Sequence, residues 1–530
     1  MRVQGARDLG QTIKLSAPLF RRRSTDASRL KTRGSTAICA LLGALLVGCT
    51  REDDAILRFG LPTAPVSLDP RQASDAVSTR LCRLLYESLV DFDTHFTPIP
   101  ALASWQAITD TQYRFTLASS HRFHDGTAVR AADVVATYRA ILDPARASPH
   151  RSALAHVQAI TALDSRTVEF KLSRADPLFP GLLQLGILRA ADAARTTISA
   201  QPVGSGPFRV THTLSPNRLS LTRVRDGQRV DFMTVPNETT RALKLARGEL
   251  DLAQGGFSPE LVEWLDEQPS LRVQQRPGTV FSYLGFNLAS GPTADPRLRL
   301  AIAQAIDRQS LVKYLFKGHA RLANSLLVPE HWAGHPSLPP IPYNPAAATQ
   351  RLRELGYSTR RPLILSYKTS NDHFRRRIAT VLQAQLHEVG IALKIQNYDW
   401  GTLYGDIKAG RFELYSLSWV GLQLPDIFRH AFHSSSRPPS GANRGHYSSE
   451  VVDRLIERAE GAPTRDLQSA LYRAIQVELQ GDLPYVPLWF EDTIVVQRSR
   501  VLGYDTDLNG HYDGLTRISR LVEESRELSN

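Results

Sequence analysis

The chain is poor in the residues that build small disulfide scaffolds, metal sites and hydrolytic centres. Cysteine occurs three times (Cys39, Cys49, Cys82) and methionine twice in 530 residues. So few thiols exclude a disulfide framework, and their spacing excludes a C-x-x-C metal site. P-loop, G-x-S-x-G and H-E-x-x-H signatures are all missing. His387-Glu388 comes nearest to the last, but Ile391 stands where the second histidine belongs. His121/His124 and His430/His433 share i,i+3 spacing without a third ligand nearby, which reads as polar loop or cap histidines. Ser205 sits between two glycines, where turn chemistry explains it without a nucleophilic role. These absences point to a binder rather than an enzyme, and to no cofactor.

Long apolar runs are missing too. The longest candidate, Thr36 to Gly48, is thirteen residues, too short to span a hydrocarbon layer of ~30 Å. It suits the apolar region of an export signal instead, with nine Lys/Arg and two Asp before it. That segment accounts for +7 of the formal net charge of +12, leaving +5 spread thinly over the rest. A nucleic-acid partner therefore has no support. Leu46-Val47-Gly48-Cys49 resembles a bacterial lipobox, so residues 1–48 are expected to leave as a signal peptide and Cys49 to carry lipid. The lipid would anchor the protein to a membrane outside the cytoplasm, with Cys82 as the one remaining thiol.

What is present describes an ordinary globular α/β protein. Apolar content of 42% and charge of 22% fit a folded chain, and the length calls for two or three domains. Ile56–Leu61, Tyr113–Leu117 and Thr167–Leu172 read as strands, and Ser78–Leu89 and Glu238–Arg247 as helices. From Thr279 onward the pattern regularises. A long strand is followed by helix starts at Asp295-Pro296 and Asn344-Pro345. Strands PLILSY, IALKIQ and FELYSLSW then alternate with helices, which predicts a partly parallel sheet covered on its faces. Trp400 and Trp419 stand at the two ends of the last helix–strand unit. Indoles so placed serve either as core packing or as a flat floor and lid for a ligand.

Several short pieces occur in a specific order: Ser67-Leu68-Asp69-Pro70, Tyr86-Glu87-Ser88-Leu89-Val90, Phe123-His124-Asp125-Gly126, Val203-Gly204-Ser205-Gly206-Pro207-Phe208, Ala305-Ile306-Asp307-Arg308, Tyr343-Asn344-Pro345, Trp419, and Leu483-Pro484-Tyr485-Val486-Pro487-Leu488. Together they resemble the family 5 extracellular solute-binding proteins of bacterial ABC importers, over essentially everything after Cys49.

The resemblance implies a two-lobed periplasmic-binding-protein fold of the large type II class. Lobe I would comprise 49–87, 203–285 and 488–530, with 88–202 inserted as a subdomain, and lobe II would span 286–487. It implies a monomer that closes on a peptide or peptide-like solute and delivers it to permease subunits. The alternative is a permease-independent sensor for a sugar, metal chelate or haem. It also implies a ligand wall containing Ser74, Asp75, Tyr283, Trp400, Trp419, Gly421 and Leu422. In peptide-binding relatives an acid three residues after the matching tryptophan meets the peptide's α-ammonium. Here that place holds Leu422, and Leu424 replaces a second acid. An apolar residue at that place is expected to favour ligands with a blocked or absent α-amino group. Asp399 and Asp426 are the available substitutes, and nothing in the sequence directs either side chain toward the ligand.

Overall fold

Two long antiparallel strands, Leu271–Phe286 and Tyr485–Arg498, run through the middle of the molecule. In the computed structural model, which describes residues 56–215 and 217–520, they are the central pair of one eleven-stranded mixed sheet. Tyr485 to Phe490 is apolar at every position and buried throughout, as expected of a strand covered on both faces. Pro487 has no N–H to give the ladder, and the register shifts opposite Ser282 and Tyr283, where it sits. Phe281–Gly285 and Tyr485–Phe490, the most buried parts of the two strands, pair directly with each other.

On one side of this pair Leu414–Trp419 joins antiparallel, followed by parallel strands Leu363–Ser370 and Ile391–Tyr398. The partly parallel arrangement is the one that the strand–helix alternation predicts. Helices Pro296–Ala305, Pro345–Glu354 and His373–Val389 fill one face with Leu, Ile and Ala. Helices Ile427–Phe432, Glu450–Glu460 and Arg465–Asp482 supply a more aromatic core on the other. Beyond the central pair lie the parallel strands Ile56–Leu61, Leu252–Gln254 and Arg229–Thr234, then Arg218–Arg223 and Phe208–Ser215 antiparallel. Residues from Leu89 to Ile187 build a separate core around the four-stranded sheet of Ala103–Thr109, Gln112–Leu117, Thr167–Leu172 and Val157–Ala162.

Some sequence boundaries move. The helix expected at Ser78–Leu89 is Ala76–Leu85. Asp75 caps it by accepting from the Ser78 N–H, and Tyr86 turns extended, so Leu89 packs into the neighbouring core instead. The cause of that early stop is the 203–208 turn. A side chain at Gly204 would bring Cβ within 1.9 Å of the Leu85 carbonyl oxygen, so only glycine allows the two backbones to meet. Ser205 there accepts from the Glu87 N–H at 3.2 Å, a structural role. The export segment and Cys49 lie outside the described residues. No helix among the described residues is long and apolar enough to cross a membrane.

Candidate functional site

The strand Leu414–Trp419 delivers Trp419 to the rim of the sheet, opposite Phe281. Gly421, at φ 71°, then turns the chain so that Leu422 and Leu424 face back across a gap. The far side of that gap is an arm from the separate core, residues 149–185. Between the two lies a cavity of about 740 Å³. Its apolar wall is Trp419, Leu422 and Leu424 on one side and Leu178, Leu182 and Leu185 on the other.

The charges in this cavity are mostly settled within the protein. Glu460 is held by Arg174 of the opposite wall at 3.0 Å and by Arg429 at 2.6 Å. Asp176 lies 2.9 Å from His156, a partner that compensates its charge only when protonated. His430 is pushed down to about 4 by burial and by Arg444, so it stays neutral. Asp426 is the exception: among the described residues no cation lies within ion-pair distance of it. Burial, then the charges of Asp176 and Glu460, raise its carboxyl to about 7. Although it stands at the start of the helix Ile427–Phe432, it makes no side-chain cap bond. An unpaired half-buried carboxylate is an open demand for a cation.

Trp419 has an unmet demand of its own. Its indole Nε1 is buried, with no acceptor among the described residues. Behind the ring lies Arg444, 7% exposed, with its guanidinium 4.8 Å from the Trp419 ring centroid and 5.4 Å from that of Tyr404. Arg444 donates to the Tyr283 hydroxyl at 3.1 Å and the Tyr404 hydroxyl at 3.4 Å, and no carboxylate among the described residues pairs with it. The rings and hydroxyls therefore carry the compensation for this buried cation. Tyr404 in turn stacks on Trp400 at 5.3 Å and 9°. The two tryptophans are thus joined through Tyr404 and Arg444 in one aromatic–cation stack.

Of the seven wall residues expected, the structure brings Trp419, Gly421 and Leu422 to the cavity. Trp400 is 62% exposed and lies outside it, at the end of the stack. Tyr283 is fully buried, behind the site, where it accepts from Arg444. Ser74 is exposed and Asp75 is a helix cap, and neither lines the cavity. Asp399 is also a cap, bonded to the N–H and hydroxyl of Thr402. Of the two acids left open by the sequence, Asp426 alone reaches the cavity. No local sequence pattern marks the arm 149–185, whose residues meet partners some 270 positions away.

The sequence profile of bacterial extracellular solute-binding proteins, family 5 (middle) matches residues 97–438, well over half of the chain. The chain belongs to this family. Among its family 5 relatives, "Di/tripeptide-binding protein 2" of Pseudomonas aeruginosa is 27% identical over 484 residues, covering 83% of this chain and 90% of the relative. The periplasmic binding protein DppA of Helicobacter pylori, solved in complex with peptide STSA, superposes with a TM-score of 0.78 at 26% identity, covering 88% of this chain and 98% of that one. NikZ of Campylobacter jejuni, solved with Ni(L-His), shares the fold at a TM-score of 0.78 and 20% identity, with coverage of 88% and 99%. The fold is the two-lobed α/β architecture of this family 5 group.

Proposed function

We propose that this chain is the solute-binding component of an ABC-type importer, and that it captures short peptides through their free α-ammonium at Asp426. The observation that carries this reading is the unpaired Asp426 carboxylate beside an apolar wall and a buried, unbonded indole N–H. An extended peptide offers an ammonium for the first, side chains for the second and a backbone carbonyl for the third. The cavity falls within the ~300–1,000 Å³ usual for small-solute sites. Relatives named for di- and tripeptides support the same solute class.

In this reading the chain is an extracytoplasmic lipoprotein anchored at Cys49. Its lobes divide at the boundaries the sequence implies, and Arg174–Glu460 ties the closed walls together. Calorimetric titration of the mature protein with free di- and tripeptides, a monosaccharide and a nickel–histidine chelate tests it. Micromolar or tighter binding by the peptides alone is expected. Binding of the sugar or the chelate with no peptide response would overturn it in favour of a non-peptide receptor.

A further inference from the structure

The arm 149–185 is seated on the opposite wall by a small apolar contact. Leu178 is buried in the same core as Ile427 and Phe428. Gly181 lies so near Leu424 that a side chain there would place Cβ 2.8 Å from a Leu424 methyl. Two residues before Leu178 stands Asp176, 5% exposed, which accepts from the Leu178 N–H at 3.0 Å. Seating the arm therefore carries a buried carboxylate into a seam that already holds Asp426 and Glu460.

The charges that meet in this seam come from four elements. The arm brings Arg174, Asp176 and His156. The helix Ile427–Phe432 and its leading residue bring Asp426, Arg429 and neutral His430. The helix Glu450–Glu460 brings Glu460, and Arg465–Asp482 brings Tyr472. Burial, then the charges of Glu460, Asp426 and Asp176, hold the Tyr472 phenol well above its ordinary range, so it stays neutral. Burial holds His150 down, and Arg444 is caged behind Trp419 and Tyr404. Among the described residues, three carboxylates thus face two arginines, and His156 adds a positive charge only when protonated. The seam balances when it takes up one more positive charge, whether a proton or a cation.

We propose that the arm is a proton-controlled lid. It rests on the opposite wall while Asp426 carries a proton, lifts when Asp426 ionises, and is seated again by a bound cation. Lifting moves Asp176 away from Asp426 and lets water reach both. It also breaks Arg174–Glu460, but Glu460 keeps Arg429, and the Arg174 side chain is already 45% exposed. The sign follows from linkage. With the arm seated, burial and then Asp176 and Glu460 raise Asp426 to about 7. Lifting relieves the burial and the Asp176 charge, so the lifted form has the lower value. The equilibrium therefore moves toward the lifted arm as pH rises to about 7, and is level above it. The peptide reading enters only in naming the seating cation as the peptide's ammonium.

Spin labels at Lys171→Cys, on the core that carries the arm, and Arg458→Cys, on the opposite wall, test this in the unliganded mature protein. Both positions are exposed, and Cys82 is buried. Pulsed double resonance then reads the distance between the walls. The ratio of long to short distances should rise about ten- to a hundredfold from pH 5.5 to 7.5, since one ionising group gives up to about tenfold per pH unit. Asp426→Asn should hold the short distance across that range. So should Asp176→Asn, which keeps an acceptor for the Leu178 N–H. Matching urea midpoints at pH 5.5 would exclude a folding artefact in the variants. Tri-alanine added to wild type at pH 7.5 should restore the short distance. A wild-type distance that does not move with pH, or a change of full size that persists in Asp426→Asn, overturns the lid. A pH-driven change that tri-alanine fails to reverse supports the lid and counts against the peptide reading instead.

Discussion

Asp426→Asn should abolish high-affinity binding of free-amine peptides and, in the same molecule, stabilise the unliganded protein at neutral and alkaline pH. The affinity loss follows from leaving a desolvated ammonium without its counter-charge, which costs about 2–5 kcal/mol, or roughly 30- to several-thousand-fold. The stability gain has the opposite origin. A carboxyl raised to about 7 in the folded chain, against its ordinary value of 3.8, opposes folding wherever it must be ionised. That penalty is absent below the unfolded value, grows as pH rises toward 7 and is constant above.

Thermal unfolding should therefore show the Asn variant above wild type at pH 8 and level with it at pH 4. Wild-type affinity should in turn rise from pH 5.5 to 7.5 as Asp426 ionises. The groups facing it are the Asp176–His156 and Glu460–Arg174–Arg429 clusters and neutral His430. An Asn variant with unchanged affinity, or one less stable at pH 8, would mean that Asp426 is satisfied within the protein.

Trp419→Ala should weaken peptide binding by about 100-fold, in the range of a central aromatic anchor. Trp419→Phe separates the two contributions of the indole. It keeps much of the apolar face and the cation–π cover of Arg444, but loses the N–H. A single net hydrogen bond of about 1 kcal/mol predicts roughly a fivefold loss for Phe. The Ala variant also strips one ring from a buried guanidinium that meets no carboxylate among the described residues, so its urea midpoint should fall below that of the Phe variant. If both variants lose stability but bind as wild type once folded, Trp419 is a packing residue.

The fold was legible where local pattern and tertiary environment agree. Glu238–Arg247 and Ile56–Leu61 have the boundaries that their periodicity predicts, because cap, stop and apolar face all lie within a few residues. The helix at Asp75 was misplaced because its end is set by Gly204, more than a hundred positions away.

At the site, Trp419, Gly421 and Leu422 followed from a motif, but the opposing arm is joined to them only by long-range packing. The acids are the most instructive case. Asp75 and Asp399 each stand three residues before a Ser or Thr and spend their carboxylates capping a helix. Asp426 precedes Ile427, Phe428 and Arg429 and caps nothing, which leaves its charge for the cavity. That distinction was present in the sequence as capping chemistry, although only the cavity showed which acid it freed.

The central claim is that this protein holds a peptide by its α-ammonium, four residues downstream of where Leu422 stands in place of an acid. The most direct measurement is titration calorimetry of wild-type protein at pH 7.5 with one tripeptide in two forms, free and N-acetylated. The free form is expected to bind about 100-fold or more tightly than the acetylated one, since acetylation removes the charge that Asp426 requires. Equal affinity, or preference for the acetylated form, would contradict it.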